Sequence, residues 1–182
     1  MNDLGNDTEL IRRFKDGSPA AFEELVRKYQ NRIYNLCRYM LQDRDDSQDA
    51  AQEVFLKACS RAKDFRADSA LYSWLYRIAV NTCLDYKKKA FPEQLEDEAL
   101  LESVATSEPS PEQRYQSKEI GHALQSALQK LPEHLRAAIV LKEIEELSYE
   151  EIAEVLQISL GTVKSRISRA REELRQILRK RL

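Results

Sequence analysis

From Leu160 to the C-terminus the chain carries eight bases, Lys164, Arg166, Arg169, Arg171, Arg175, Arg179, Lys180 and Arg181, against two acids. The preceding stretch, Glu143 to Glu154, holds six acids and no base. On a helix turning about 100° per residue, Gly161, Lys164, Ser165, Ser168, Arg169, Glu172 and Arg175 lie opposite the apolar stripe Val163, Ile167, Ala170 and Leu174. Short side chains at the start of such a face let backbone and bases approach. Arginines there can grip guanine edges or phosphates. This pattern suits a helix that lies in a DNA major groove. Attraction to the C-terminal dipole can account for Arg179 to Arg181, but not for Lys164 or Arg169 near the N-terminal end.

Two other stretches carry chemistry of recognition. One, near residues 48–62, puts Ala51, Val54, Phe55, Ala58 and Ala62 on a core side and Asp49, Gln52, Glu53, Leu56 and Ser60 on the far side. A leucine ringed by acids on a solvent face suits a basic protein partner, although single exposed leucines are common. The other crowds Tyr72, Trp74, Tyr76 and Arg77 together and closes on Lys87-Lys88-Lys89. Its apolar residues, Leu71, Leu75, Ile78, Val80 and Leu84, lie all round the helix. That favours burial, while aromatics mixed with bases also suit stacking on unpaired bases. Catalysis finds no support, because the sequence has no nucleophile–base arrangement, Gly-rich phosphate loop or metal-spaced cluster. No cofactor is expected. Cys37, Cys59 and Cys83 are far apart in helical patterns and read as three small buried hydrophobes. His122 and His134 are isolated and read as ordinary surface or cap residues.

These faces must be positioned by helices. Thr8 can cap a short first helix that Gly17 ends. Ser18-Pro19 then starts a long amphipathic helix through Phe22, Leu25, Val26, Tyr29, Ile33, Leu36, Cys37 and Met40. A polar break at 42–47 leads to a third helix over roughly 48–62, and a link at 64–69 leads to a fourth ending near Lys89. Between Ala90 and Ser117, seven acids face one base and three prolines interrupt the chain, the composition of a flexible linker. Beyond it, Pro132 separates two helices. Ser148-Tyr-Glu-Glu151 has the capping-box form that starts a short helix. Gln157-Ile-Ser159 is the turn into the basic helix, which makes a helix-turn-helix.

The fold class expected is all-α: two small helical modules, 1–89 and 118–182, joined by an acidic flexible linker, 90–117. With 42% apolar and 33% charged residues, four glycines and no long apolar run, the sequence reads as a helix-rich soluble chain of the cytosol. The net charge of −2 does not exclude DNA binding, because the charge is segregated.

Three segments carry a family resemblance. Asp49 to Ala58 resembles region 2.2 of bacterial sigma factors, Phe65 to Asn81 resembles regions 2.3 and 2.4, and Leu131 to Arg175 resembles region 4, in the family's order. With no separate region 1.1 and no folded region 3, the chain is similar to the extracytoplasmic-function group, especially its sigma-E type. The resemblance implies a sigma region 2 helical bundle and a sigma region 4 helix-turn-helix, and a non-enzymatic factor that directs RNA polymerase to promoters. It implies that Asp49, Gln52, Glu53 and Leu56 dock on the β′ clamp of core RNA polymerase. Arg66, Ala67, Asp68 and Ser69 would capture a flipped base of the −10 element, beside Trp74, Arg77 and Asn81. Lys164, Ser165, Arg166, Ser168 and Arg169 would face the −35 groove. Implied partners are core RNA polymerase, promoter DNA and an anti-sigma factor, with a monomeric free state and no membrane insertion. Two departures stand out: Gln157 at a turn position that often holds Gly, and Ser168 where sigma-E relatives carry a bulkier aromatic. Alternatives are a helix-turn-helix repressor or activator that binds operators unaided, and a sigma-like adaptor whose main ligand is a protein.

Overall fold

A computed structural model describes residues 4–65, 70–90, 121 and 123–179, with side chains from residue 9 onward, and there every regular element is helical. The expected base-capturing segment Arg66 to Ser69, the linker 91–117, His122, Lys180 and Arg181 lie outside the described residues.

The first half is built on α2 (Pro19–Met40). Pro19 sits at its first turn, where no amide is missed, and Ser18 Oγ accepts from the Ala21 amide at 3.3 Å. Its three-and-four spacing buries Leu25, Tyr29, Ile33, Leu36 and Met40 along one side. Helix α1 (Leu4–Lys15) packs on its start through stacked Phe14 and Phe22 rings, 6.0 Å apart, and an Arg13–Glu24 ion pair of 2.7 Å. Thr8 lies inside α1, four residues past its start, so the cap expected there is not one.

Helix α3 (Arg44–Ser60) starts earlier than the expected residue 48. Asp43 accepts from the amides of Asp45 and Asp46 at 2.8 and 2.9 Å, and three acids at this end complement the helix dipole. What reads as a polar break is therefore a cap and a first turn. Small residues on its inner side, Ala50, Ala51, Val54 and Ala58, let α2 and α4 come close. A 3-10 turn (Ala62–Asp64) leads toward α4 (Leu71–Ala90). Cys37 and Cys83 are buried as expected, but Cys59 is exposed on α3.

The second half contains residues 123–129 (α5), α6 (Glu133–Glu143), α7 (Tyr149–Leu156) and α8 (Leu160–Arg179). The capping box forms in full: Ser148 Oγ accepts from the Glu151 amide at 3.1 Å, and Glu151 accepts from the Ser148 amide at 2.6 Å. Arg136, 2% exposed, ties α6 to the end of α5 by donating to the carbonyls of Leu128, Gln129 and Leu131 at 2.7–2.8 Å. Burial lowers its pKa to about 10, and the nearby Glu133 only partly opposes this.

The two halves are not held apart. Helix α6 packs on α2, and α7 packs on α4. Helix α2 ends without a glycine, in extended backbone at Leu41, and its last carbonyls are met by side chains from the second half. Gln125 donates to Arg38 O and Leu41 O, Gln129 to Tyr39 O at 3.1 Å, and Arg136 to Met40 O at 3.0 Å. Tyr76, fully buried, donates to the Glu145 carboxylate, which also takes Arg32 Nε at 3.2 Å. Tyr72 donates to Glu151. The all-round apolar character of α4 thus has a physical reason: one side faces α2 and α3, and the other is covered by α7.

Candidate functional site

The basic helix is set by its turn. Gln157 ends α7 in the left-handed region, φ 55° and ψ 44°, and its side-chain amide donates to Glu154 O at 2.7 Å. Ser159 then caps α8, accepting from the Thr162 amide at 3.1 Å. Val163, Ile167 and Ala170 are buried, which fixes the rotation of α8 and turns Gly161, Lys164, Ser165, Ser168 and Arg169 outward. Arg166 is half-buried at the edge of that face. Not every base on the helix is available. Arg171 donates twice to Glu143, at 3.1 and 2.6 Å, and Arg175 pairs with Glu172. Among the described residues, Lys164, Arg166 and Arg169 in the first half of the helix and Arg179 at its end have no ion-pair partner. Arg179 suits the dipole of the helix, but a helix that served only its own dipole would not place Lys164, Arg166 and Arg169 in its first half.

On α3, Asp49 and Gln52 are exposed and Leu56 is 68% exposed, all on one face. Glu53 differs from expectation. It turns along the helix to Lys57, 2.8 Å away, and this partner together with the Tyr86 hydroxyl holds its carboxyl below the usual range despite partial burial. Lys57 also donates to Thr82 Oγ1 at 3.1 Å. Glu53 therefore braces α3 against α4 while Asp49, Gln52 and Leu56 face outward.

The third surface is a cleft of about 500 Å³ beside α4. Trp74, Arg77 and Asn81 line it with Lys57 and Arg61 from the α3 side. Trp74 is only 8% exposed and meets Phe65 edge to face at 5.3 Å; Arg77 is half-buried and Asn81 exposed. Lys57 and Arg61 were not singled out in the sequence, although 53, 57 and 61 form an i, i+4 stripe that signals a common edge. Glu154 and Gln157 of the second half close the cleft's other side. Beside it, Tyr72 is pushed up to about 12 by burial and then by its bond to Glu151. Burial alone would raise Glu151, but Tyr72 and the Ser148 donors outweigh it and hold that carboxyl low.

Residues 25–90 match the family described as Sigma-70 region 2, and residues 121–174 match Sigma-70, region 4. The chain belongs to the sigma-70 family. Among curated relatives it is 40% identical over 180 residues to the RNA polymerase sigma-H factor of Pseudomonas aeruginosa, covering 94% of this chain and 93% of the relative. It is 39% identical over 183 residues to the ECF RNA polymerase sigma-E factor of Escherichia coli K12, covering 96% and 95%. Identity to the ECF RNA polymerase sigma factor SigW of Bacillus subtilis is 37% over 177 residues, covering 93% and 95%. Among solved structures, it superposes with a TM-score of 0.74 on CnrH in complex with the cytosolic domain of CnrY, at 27% identity and 96% and 97% coverage. A TM-score of 0.69 relates it to the sigma factor RpoE of Bartonella quintana in complex with the anti-sigma factor NepR, at 30% identity and 87% and 96% coverage. The chain is a sigma factor of the extracytoplasmic-function group, which directs RNA polymerase to promoters. Helices α2 to α4 are its region 2, and α5 to α8 its region 4.

Proposed function

We propose that this sigma factor divides its work among the three surfaces. Asp49, Gln52 and Leu56 on α3 dock on core RNA polymerase, with Glu53 bracing the helix. Trp74, Arg77 and Asn81, with Arg66, Ala67, Asp68 and Ser69, hold the opened −10 strand. Lys164, Ser165, Arg166, Ser168 and Arg169 face the −35 groove. The observation that carries this reading is the pairing on α8: Lys164, Arg166 and Arg169 stand without an ion-pair partner on and beside the outward face of its N-terminal half, where a groove-reading helix meets base edges. The work is binding, with no catalysis by the factor itself. Capture of an extruded base offsets the few kcal/mol, roughly, that unpairing costs.

The 28 residues between 90 and 117 span up to roughly 90 Å when extended. That reach covers promoter elements two duplex turns apart, at about 34–36 Å per turn. Two weak contacts made together bind tightly. Control by an anti-sigma factor is part of the proposal, in line with the complexes in which the two structural neighbours were solved. In vitro transcription with sigma-free core polymerase and a promoter library tests it: start sites fixed by paired −10 and −35 sequences are expected. Random initiation in the presence of this chain would overturn it.

A further inference from the structure

Helix α1 precedes the stretch that matches region 2, which begins at residue 25. It nevertheless reaches the −10 side of the molecule. Its last turn carries three bases. Arg12 pairs with Glu9 at 2.7 Å and with Asp16 at 3.8 Å, and Arg13 pairs with Glu24 on α2 at 2.7 Å. Lys15 is used differently. Its ammonium donates at 2.9 Å to the main-chain carbonyl of Phe65, 50 positions along the chain. The end of α1 is fixed so that Lys15 can do this. Phe14 is buried and stacked on Phe22, and Gly17, at φ 81°, turns the chain off the helix with its amide bonded back to Phe14 O at 3.0 Å.

Phe65 is thereby held at three points. Its amide donates to Ala62 O at 3.3 Å, its ring is buried edge to face against Trp74, and its carbonyl takes Lys15. The backbone at Phe65 is extended, φ −64° and ψ 124°, so no helix supplies a donor for that half-buried oxygen. The oxygen belongs to the peptide that joins Phe65 to Arg66. Because a peptide is planar, a donor fixed on its oxygen also fixes the direction in which the chain leaves Phe65. The same bond keeps the Phe65 ring against Trp74, which lines the cleft with Arg77 and Asn81.

We propose that Lys15 is a positioning residue for −10 recognition. It acts through Phe65: it orients the peptide that leads toward the base-capturing stretch, and it holds the aromatic pair Phe65–Trp74 at the wall of the cleft. The inference rests on the −10 role that the proposed function gives to this cleft. Loss of the ammonium alters how sharply −10 bases are told apart. The −35 face of α8 and the outward face of α3 lie on other elements and are left as they are.

The test uses the full chain and two variants, Lys15→Met, which keeps an apolar stem but no donor, and Lys15→Arg, which keeps a charged donor. Trp74 is the one tryptophan of the chain, so its emission reads the Phe65 contact without any DNA. In Lys15→Met that emission is expected to move to longer wavelength and to be quenched more readily by acrylamide, with helix content unchanged by far-UV dichroism. Lys15→Arg is expected to match the wild type. Holoenzyme formed with core polymerase is then compared by competition binding on a promoter recovered from the library and on its single-base −10 and −35 variants. Lys15→Met is expected to lose about tenfold in discrimination at one or more −10 positions, the factor that one hydrogen bond from a charged donor can supply. Its −35 discrimination and its core affinity should stay within about twofold of the wild type, and Lys15→Arg should recover the −10 discrimination. Trp74 emission identical in Lys15→Met and wild type would overturn the inference. So would a loss equal on every sequence, which would make Lys15 a phosphate contact. Normal −10 discrimination in the wild type that Lys15→Met leaves unaltered removes this inference alone. A wild-type holoenzyme with no −10 discrimination sinks the proposed function, and this inference with it.

Discussion

Leu56 is the large apolar side chain most at odds with its surroundings, 68% exposed on α3 between Gln52 and Ser60. Replacing it with aspartate changes little that the folded chain uses, because the inner side of α3 is carried by Ala50, Ala51, Val54, Phe55 and Ala58. The helix loses about 0.5 kcal/mol of propensity at most. Docking loses far more. Full burial of a leucine is worth about 1.5–3 kcal/mol, so the two-thirds still exposed can supply about 1–2 kcal/mol to a partner. An aspartate forced into the same pocket, beside Asp49 and Glu53, adds an unpaired charge that costs several kcal/mol. A total of about 3 kcal/mol or more means an affinity at least roughly 100-fold weaker. The assay is titration of N-terminally labelled protein with core RNA polymerase, run beside a urea unfolding curve. A core affinity within about threefold of wild type refutes the docking surface, since about 0.7 kcal/mol is too little for a buried leucine. A matching collapse of the unfolding midpoint also refutes the reasoning, because it would make Leu56 part of the fold.

Arg169→Ala is expected to reduce discrimination among −35 sequences by about 1–3 kcal/mol if Arg169 reads a base edge; equal loss on every sequence, measured by competition binding, would make it a phosphate contact. A methyl on Gly161 would meet only Ser159 Oγ, at 3.8 Å, so Gly161→Ala should leave stability equal or higher by up to about 0.5 kcal/mol. The same methyl should weaken −35 duplex binding if backbone and DNA are in close contact, and unchanged binding in electrophoretic shift assays would remove Gly161 from the interface. Gln157→Gly relieves a left-handed residue and should raise stability by roughly 0.5–1 kcal/mol in urea melts. Lys87 is half-buried against Gln129, and burial followed by the Arg136 charge lowers its pKa to about 8, with Glu133 and Cys83 opposing. The folded state therefore binds fewer protons than the unfolded one between pH 8 and 10.5, so its stability should rise with pH there, by about 1 kcal/mol up to pH 9.5. Lys87→Met should flatten that rise; a wild-type curve already flat would contradict the assignment.

Most of the fold was legible because its determinants are local. The Ser148–Glu151 box, the Ser18-Pro19 start, the Ser159 cap and the stripe Val163, Ile167 and Ala170 are each set within one or two helical turns, and each forms as written in the sequence. The same holds for the outward face of α8. The start of α3 was misplaced because Asp43 to Ser47 is as polar as a loop, and a first turn of acids is polar for its own electrostatic reason. Cys59 was misjudged because its residue type favours burial while its position on α3 does not. What sequence could not show was the packing of the halves. It depends on Gln125, Gln129, Glu145 and Tyr76, polar residues that are unremarkable one by one and separated by up to 113 positions from the groups they bond. Glu53 was expected to face outward and Lys57 escaped notice for a related reason: a helix pattern marks both as exposed, and only the neighbouring α4 turns them inward.

The borrowed finish of α2 bears on how this protein can be taken apart. A fragment ending near residue 90 keeps the helices of region 2 but loses the amide and guanidinium donors that meet Arg38, Tyr39, Met40 and Leu41. Those oxygens then turn to water at the link into Asp43, whose carboxylate starts α3. Affinities measured on the isolated N-terminal piece thus belong to a helix with a looser last turn than the whole chain has.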